Sequence, residues 1–264
     1  MIEYFTTIPS SHRTIILAFS LVFCWALEGA IPLFNFQYNK YKHASVNLFF
    51  TLTTILINLT FATILLLAAE WTVQNKIGIL YLMDLPIWLH AIFAIMLMDM
   101  IGAYWIHRLM HTFSFGWKLH RIHHIDTKVD ATTALRAHPA ESILRAIFLL
   151  FGILIAGAEI WMVMLYQSIS VLNAQIEHAN IKFPKWFDNF LEIFIVSPDM
   201  HKVHHSRKQI ETDSNFANIF SIWDRIFGSY RKVEDTESIE YGLAEFRTEK
   251  DDTITSLLKN PFRK

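Results

Sequence analysis

Apolar residues fall in long runs along this chain. Thr14 to Phe34 carries Glu28 as its only charged residue. Val46 to Ala69 is a second run and Pro86 to Ile106 a third, ending directly on His107. Each run can form a helix that crosses the roughly 30 Å hydrocarbon core of a bilayer. Glu141 to Gln175 is mostly apolar but is interrupted by Gly152, Gly157 and Glu159. It is too long for one ordinary span and short for two full ones. It predicts a hairpin of two helices turning near Ala156 to Glu159. From Pro184 onwards the chain is more polar and reads as lying outside the membrane.

The first run reads as a membrane span in preference to a secretory leader. Glu3 precedes it, basic character is confined to His12 and Arg13, and the run exceeds a leader's apolar core. Composition supports a membrane protein: 53% of residues are hydrophobic and 14% aromatic. The net charge of −1 leaves no global basic signature for nucleic acid. No repeat, linker or low-complexity tract divides the 264 residues, so a single domain spanning 1–264 is expected.

Lysine and arginine set the expected orientation. The connection Asn35 to Ser45 carries Lys40 and Lys42, whereas Glu70 to Leu85 carries Lys76 against Glu70 and Asp84. Arg108, Lys118, Arg121, Lys128 and Arg136 follow the third run. This places the first and third connections in the cytoplasm and the amino terminus outside. A hairpin over Glu141 to Gln175 then returns the rest of the chain to the cytoplasmic side.

Candidate chemistry sits in three histidine boxes. They are His107-Arg-Leu-Met-His111, His120-Arg-Ile-His123-His124 and His201-Lys-Val-His204-His205, together eight of the 13 histidines. An HxxHH motif is expected by chance only about 0.03 times in such a chain. On a helix, positions i, i+3 and i+4 share one face, so each box presents a set of metal-ligating imidazoles. One face suits one ion, and eight ligands suit two. His178, where the hairpin returns, is a candidate ninth ligand. His12, His43 and His90 read as packing residues. Cys24 stands alone, so the ligands are nitrogen and oxygen.

Metal-bound histidines usually donate their second N–H to a carboxylate, carbonyl or water. Asp99, two turns before His107, is the first candidate for that supporting role, because an acid inside a span is functional by default. Arg136, His138, Glu141 and Asn180 complete the supporting set. Ligand type alone leaves iron, zinc and copper open.

The boxes, their order and the spacing of apolar runs resemble the fatty acid hydroxylase / sterol desaturase superfamily of membrane di-iron enzymes. The resemblance extends to Tyr104-Trp-Ile-His107, Leu135-Arg-Ala-His138-Pro-Ala-Glu141, Asp213-Ser-Asn215-Phe216 and Ile222-Trp223-Asp224-Arg-Ile-Phe227-Gly228, and covers about residues 90 to 232. One departure is Ala174, one turn before His178, where some members carry a further histidine. The resemblance implies an all-α integral membrane bundle, multi-pass, with a cytoplasmic helical cap holding the boxes. In a bacterium it would sit in the inner or plasma membrane. It implies two iron ions on His107, His111, His120, His123, His124, His178, His201, His204 and His205, which hydroxylate or desaturate a C–H bond of a lipid such as a sterol or fatty acyl chain. O2 and a separate electron donor (cytochrome b5-like, ferredoxin or reductase) would serve the reaction. The competing readings are a metal-binding or metal-transport protein, which should place ligands across the bilayer midplane, and haem binding, which needs paired axial ligands.

Overall fold

The computed structural model describes residues 1–246 and 250–263. Among them the regular elements are helical, and the β-type pairing is limited to isolated bridges. In chain order the helices are α1 (Ile2–Thr6), α2 (Ser10–Ala30), α3 (Lys40–Asn75), α4 (Ile87–Asp99), α5 (Ile106–Thr112), α6 (Ser114–His124), α7 (Pro139–Ala156), α8 (Ile160–His178), α9 (Lys185–Leu191), α10 (Pro198–His204), α11 (Gln209–Thr212), α12 (Ile222–Ile226) and α13 (Ile254–Lys259). Four segments are long and apolar enough to cross a membrane: Ser10–Ala30, Lys40–Leu82, Ile87–Thr112 and Pro139–Ala156. The chain is an all-α, multi-pass membrane protein.

The helix boundaries have identifiable causes. α2 stops at Ala30, four residues before the apolar run ends, because the chain from Ile31 to Phe34 leaves the helix and pairs elsewhere. Pro32 bridges to Ile181, and the Leu33 amide donates to the Asn180 carbonyl at 3.3 Å. α3 exceeds its apolar run at both ends. Asn39 caps its start by accepting the Lys42 amide, and left-handed Lys76 closes it. The Glu141–Gln175 region is the expected hairpin. Gly157 at φ 78° ends α7, a left-handed conformation that glycine adopts without steric cost. The Pro139 ring starts α7 at its first turn, where a missing N–H costs nothing.

The core lies between α3, α4, α7 and α8 and contains Ala69, Ala94, Met98, Leu149, Ile153, Met162 and Val163. Between α4 and α5 the chain passes through a π-helical stretch, Met100–Trp105. Such stretches cluster at functional sites, and this one ends two residues before His107. α5 and α6 meet at Gly116, where a Cβ would lie 2.7 Å from the Met110 Cα. Only glycine permits that approach, and Met110 stands between His107 and His111 in sequence.

Candidate metal centre

The two HxxHH boxes ride on α6 and α10, and the HxxxH box on α5. The structure divides them differently from one box per site. His107, His111, His120, His124 and His204 form one group, and His123, His178, His201 and His205 form another. Within each group the candidate ligand atoms lie within 4.8 Å of one another. α6 gives its i, i+4 pair, His120 and His124, to the first group and His123 to the second. α10 does the reverse, giving His201 and His205 to the second and His204 to the first. A 100° step per residue splits the i+3 imidazole from the i, i+4 pair. Each HxxHH helix therefore serves both groups from a single face.

Hydrogen-bond partners assign the ring protons. The His107 Nδ1 lies 2.8 Å from the Phe216 carbonyl and the His204 Nδ1 2.7 Å from the Ser214 carbonyl. The His120 Nδ1 is 3.0 Å from Glu141 Oε1, and the His111 Nδ1 is 3.0 Å from Asp213 Oδ1. Carbonyls and carboxylates only accept, so all four Nδ1 atoms carry the proton. In neutral rings their Nε2 atoms are then bare lone pairs. The Nε2 atoms of His107 and His120 face each other at 3.0 Å. Two lone pairs at that distance repel unless a cation lies between them. The Nε2 atoms of His111 and His204, and both ring nitrogens of His124, are buried without a hydrogen-bond partner.

The second group makes the same demand. The His178 Nδ1 donates to the Ala174 carbonyl at 2.7 Å, which leaves its Nε2 bare. Both the His123 and the His201 Nε2 approach that atom at 3.0 Å. Both nitrogens of His205 and the His201 Nδ1 are buried without partners. Metal–imidazole bonds of about 2.1 Å meeting at a right angle separate two ligand nitrogens by about 3.0 Å. The residues present thus fit two cation sites, one with five imidazoles and one with four. Burial, followed by the neighbouring imidazoles, holds His123, His124, His201, His204 and His205 well below the ordinary histidine pKa. They stay neutral, as ligation requires.

One short stretch orients three rings of the first group. Asp213, Ser214 and Phe216 supply the acceptors for His111, His204 and His107. Asn215 between them is left-handed at φ 53° and is pinned by its side chain to the Met200 and Arg231 carbonyls, each at 2.8 Å. Asp224 holds the amides of Phe216 and Ala217 at 2.8 and 3.0 Å.

The supporting residues expected from sequence take distinct places. Glu141 touches the site directly, bridging His120 and Arg145. Asp99 does not reach His107, because the π-helical stretch intervenes and breaks the simple two-turn relation. Its carboxylate accepts the Ile219 and Phe220 amides and the Trp223 indole N–H, bracing the loop whose Phe216 carbonyl holds His107. Arg136 donates to the Ile122 carbonyl at 2.8 Å and pairs with Asp252, steadying the end of α6. His138 caps α7 by accepting the Ala140 amide and stands outside both groups. Asn180 ties the hairpin's end to Phe34 through paired bonds of 2.9 and 2.8 Å. His43 forms a buried pair with Asp126 at 2.8 Å and lies 3.2 Å from Asp130. His12 meets the Tyr4 hydroxyl, and His90 packs on Tyr81. Sequence reasoning left Asp213 out of the supporting set. Its signal was the Asp213-Ser-Asn215-Phe216 string. The Ala174, Ser214 and Phe216 carbonyls leave no side-chain signature to read.

An apolar helical bundle closed at one end by two groups of buried, converging imidazoles defines a class of histidine-box membrane proteins. The chain belongs to the fatty acid hydroxylase family, whose model matches residues 91–229. Among curated relatives, alkylglycerol monooxygenase of Xenopus tropicalis is 31% identical over 149 residues, covering 54% of this chain and 30% of the relative. Methylsterol monooxygenase 1-3 of Arabidopsis thaliana is 35% identical over 127 residues, covering 48% of this chain and 43% of the relative. Very-long-chain aldehyde decarbonylase GL1-11 of Oryza sativa subsp. indica is 29% identical over 162 residues, covering 60% of each. The chain thus spans under a third of the alkylglycerol monooxygenases it matches. No solved structure matches.

Proposed function

We propose that the protein is a membrane-bound di-iron oxygenase that inserts oxygen into, or desaturates, a C–H bond of a lipid. The observation that carries this is the pair of bare Nε2 atoms of His107 and His120 at 3.0 Å, repeated in the second group around His178. Two iron ions held by the five and four imidazoles would supply activation of O2 with electrons delivered from outside the chain. Family membership and the relatives' names support iron and oxygen over redox-inert zinc. Two of those names are monooxygenases, which supports hydroxylation as the leading outcome. The ligands gather at one end of the bundle, which argues against the transport reading.

The chain's own residues do the positioning. Glu141 and Asp213 accept from His120 and His111 and raise the electron density of those rings. The Phe216, Ser214 and Ala174 carbonyls fix the tautomers of His107, His204 and His178. Burial excludes water from the imidazoles, so oxidising chemistry there is shielded from solvent. The apolar spans give an alkyl chain access without crossing water.

In this reading residues 1–264 form one domain, with its catalytic core at about 90–232. The boxes face the cytoplasm, where a separate donor (cytochrome b5-like, ferredoxin or reductase) reaches them. Chelation followed by metal add-back tests the reaction. Ferrous iron should restore lipid-dependent O2 uptake and a product heavier by one oxygen or lighter by two hydrogens. Activity restored by zinc and independent of O2 would overturn it.

A further inference from the structure

The polar composition after Pro184 predicts a segment held in water. Its packing says otherwise. The Trp223 indole and the Ile219 and Phe220 amides bond to Asp99, which falls at the middle of the candidate span Ile87–Thr112. Ile219 and Phe220 pack into the core formed by the long helices, with Met98, Leu149 and Tyr166. Asn218 donates to Ser170 at 2.8 Å and accepts from Asn173 at 2.5 Å, near the middle of α8. A third marker agrees: Gly152, well along α7 from its start at Pro139, meets Met98. The box residues His107 and His111 occupy the last turns of the span Ile87–Thr112, so the chain after α10 folds back alongside the bundle to about two turns below His107.

The turn after α9 and the start of α12 lie together there. Ser221 donates to the Glu192 carbonyl at 2.7 Å, the Val196 amide to the Ile219 carbonyl at 3.0 Å, and Tyr230 to Glu192. On their outer side Trp186, Phe190, Ile193, Phe194, Ile222 and Ile226 are all exposed, Trp186 at 73% and Phe194 at 61%. So many exposed large apolar side chains in two short neighbouring segments mark a binding surface. Exposed Arg225, on α12 between Ile222 and Ile226, lays its guanidinium over the Tyr230 ring. Aromatic residues and a snorkelling cation beside apolar side chains are the signature of a surface at the headgroup boundary.

We propose that α9, α12 and the turn after α9 are immersed in the bilayer, with the six apolar side chains among the acyl chains and Arg225 at the phosphates. Interfacial helices bury their apolar face about 5–10 Å below the headgroups. The surface then anchors the loop that orients His107, His111 and His204 against the membrane itself.

Spin labels test this in lipid nanodiscs. Cys24 is the single cysteine and is buried, so Cys24→Ala gives a clean background. Labels go at Phe194→Cys and Ile226→Cys, with Leu59→Cys on the exposed face of α3 as the lipid control and Glu240→Cys as the water control. Collisions with O2 and with a water-soluble nickel chelate are compared, and retained metal content reports folding. Both test sites should match Leu59, with an O2-over-nickel preference at least about threefold above that at Glu240. Nickel access equal to Glu240 would overturn the proposal and mark a water-exposed face. Shielding from both reagents would also overturn it, in favour of a protein partner or a second copy. As a second readout in unlabelled protein, Trp186→Phe should remove part of the quenching produced by brominated lipid acyl chains; unchanged quenching would count against immersion of α9.

Discussion

At the residue scale the site is set by which ring nitrogen carries a proton. Glu141 and the carbonyls fix that choice for His120, His107, His204 and His178. Glu141→Leu removes an acceptor and leaves His120 free to rotate or to move its proton onto the ligating nitrogen. Losses of this kind typically cost about 10–100-fold in metal affinity or activity. Asp99→Asn should cost less, because Asp99 acts on His107 only through the 216–223 loop; titration of the metal-free variants with ferrous iron gives both numbers. Ligand identity was legible from the boxes, since HxxxH and HxxHH spacing is a side-chain property. Their division between two groups was not, because it depends on how α6 and α10 face each other. Protons supply a further check at this scale. The buried His123, His124, His201, His204 and His205 stay neutral where unfolded imidazoles near pKa 6.5 protonate. The unfolded chain then binds more protons below that pH, so stability rises with pH there. Metal-free protein should melt progressively lower as pH falls from about 7 to 5, by up to about 1.4 kcal/mol per histidine per pH unit. A melting temperature that is flat across this window would mean that the rings are already protonated in the fold.

At the element scale the apolar runs predicted where helices lie better than where they end. α2 stops early because Pro32 and Leu33 pair with Ile181 and Asn180, a long-range contact with no local signal. α3 runs past its apolar segment because Asn39 caps it in the sequence before. The hairpin was readable because Gly157 interrupts the run at its centre. The π-helical Met100–Trp105 was not, since its residues look like any apolar span. The tightest joint is Gly116 against Met110. Gly116→Ala puts a methyl 2.7 Å from a backbone carbon and must push α5 from α6. Overpacking of this kind costs about 1–3 kcal/mol. His107 and His111 move with α5, so metal content should fall together with thermal stability. Stability lost with full metal retention would show that α5 does not carry ligands.

At the scale of the whole molecule, two neighbouring boxes, a third about eighty residues on and the end of the hairpin meet at one end of a membrane bundle. The α7–α8 hairpin leaves this end at Pro139 and brings the chain back to it at His178. The proposed orientation, taken from the Lys and Arg bias, puts this end in the cytoplasm. Reporter fusions within Asn35 to Ser45 and after residue 264 should both read as cytoplasmic, with Glu70 to Leu85 on the other side. A carboxyl terminus reported outside would place the boxes with the opposite compartment's electron donors. The sequence could not show that residues after α10 fold back beside the spans, because two of the three donors that Asp99 binds there are backbone amides. On the proposed function, five and four imidazoles hold two iron ions. The most direct measurement is metal analysis of the purified protein after exhaustive gel filtration, with His204→Ala and His205→Ala alongside. The wild type should carry two irons per chain, His204→Ala should lose the five-imidazole site first, and His205→Ala the four-imidazole site. A single metal per chain, or zinc in both sites with no iron binding on reconstitution, would contradict it.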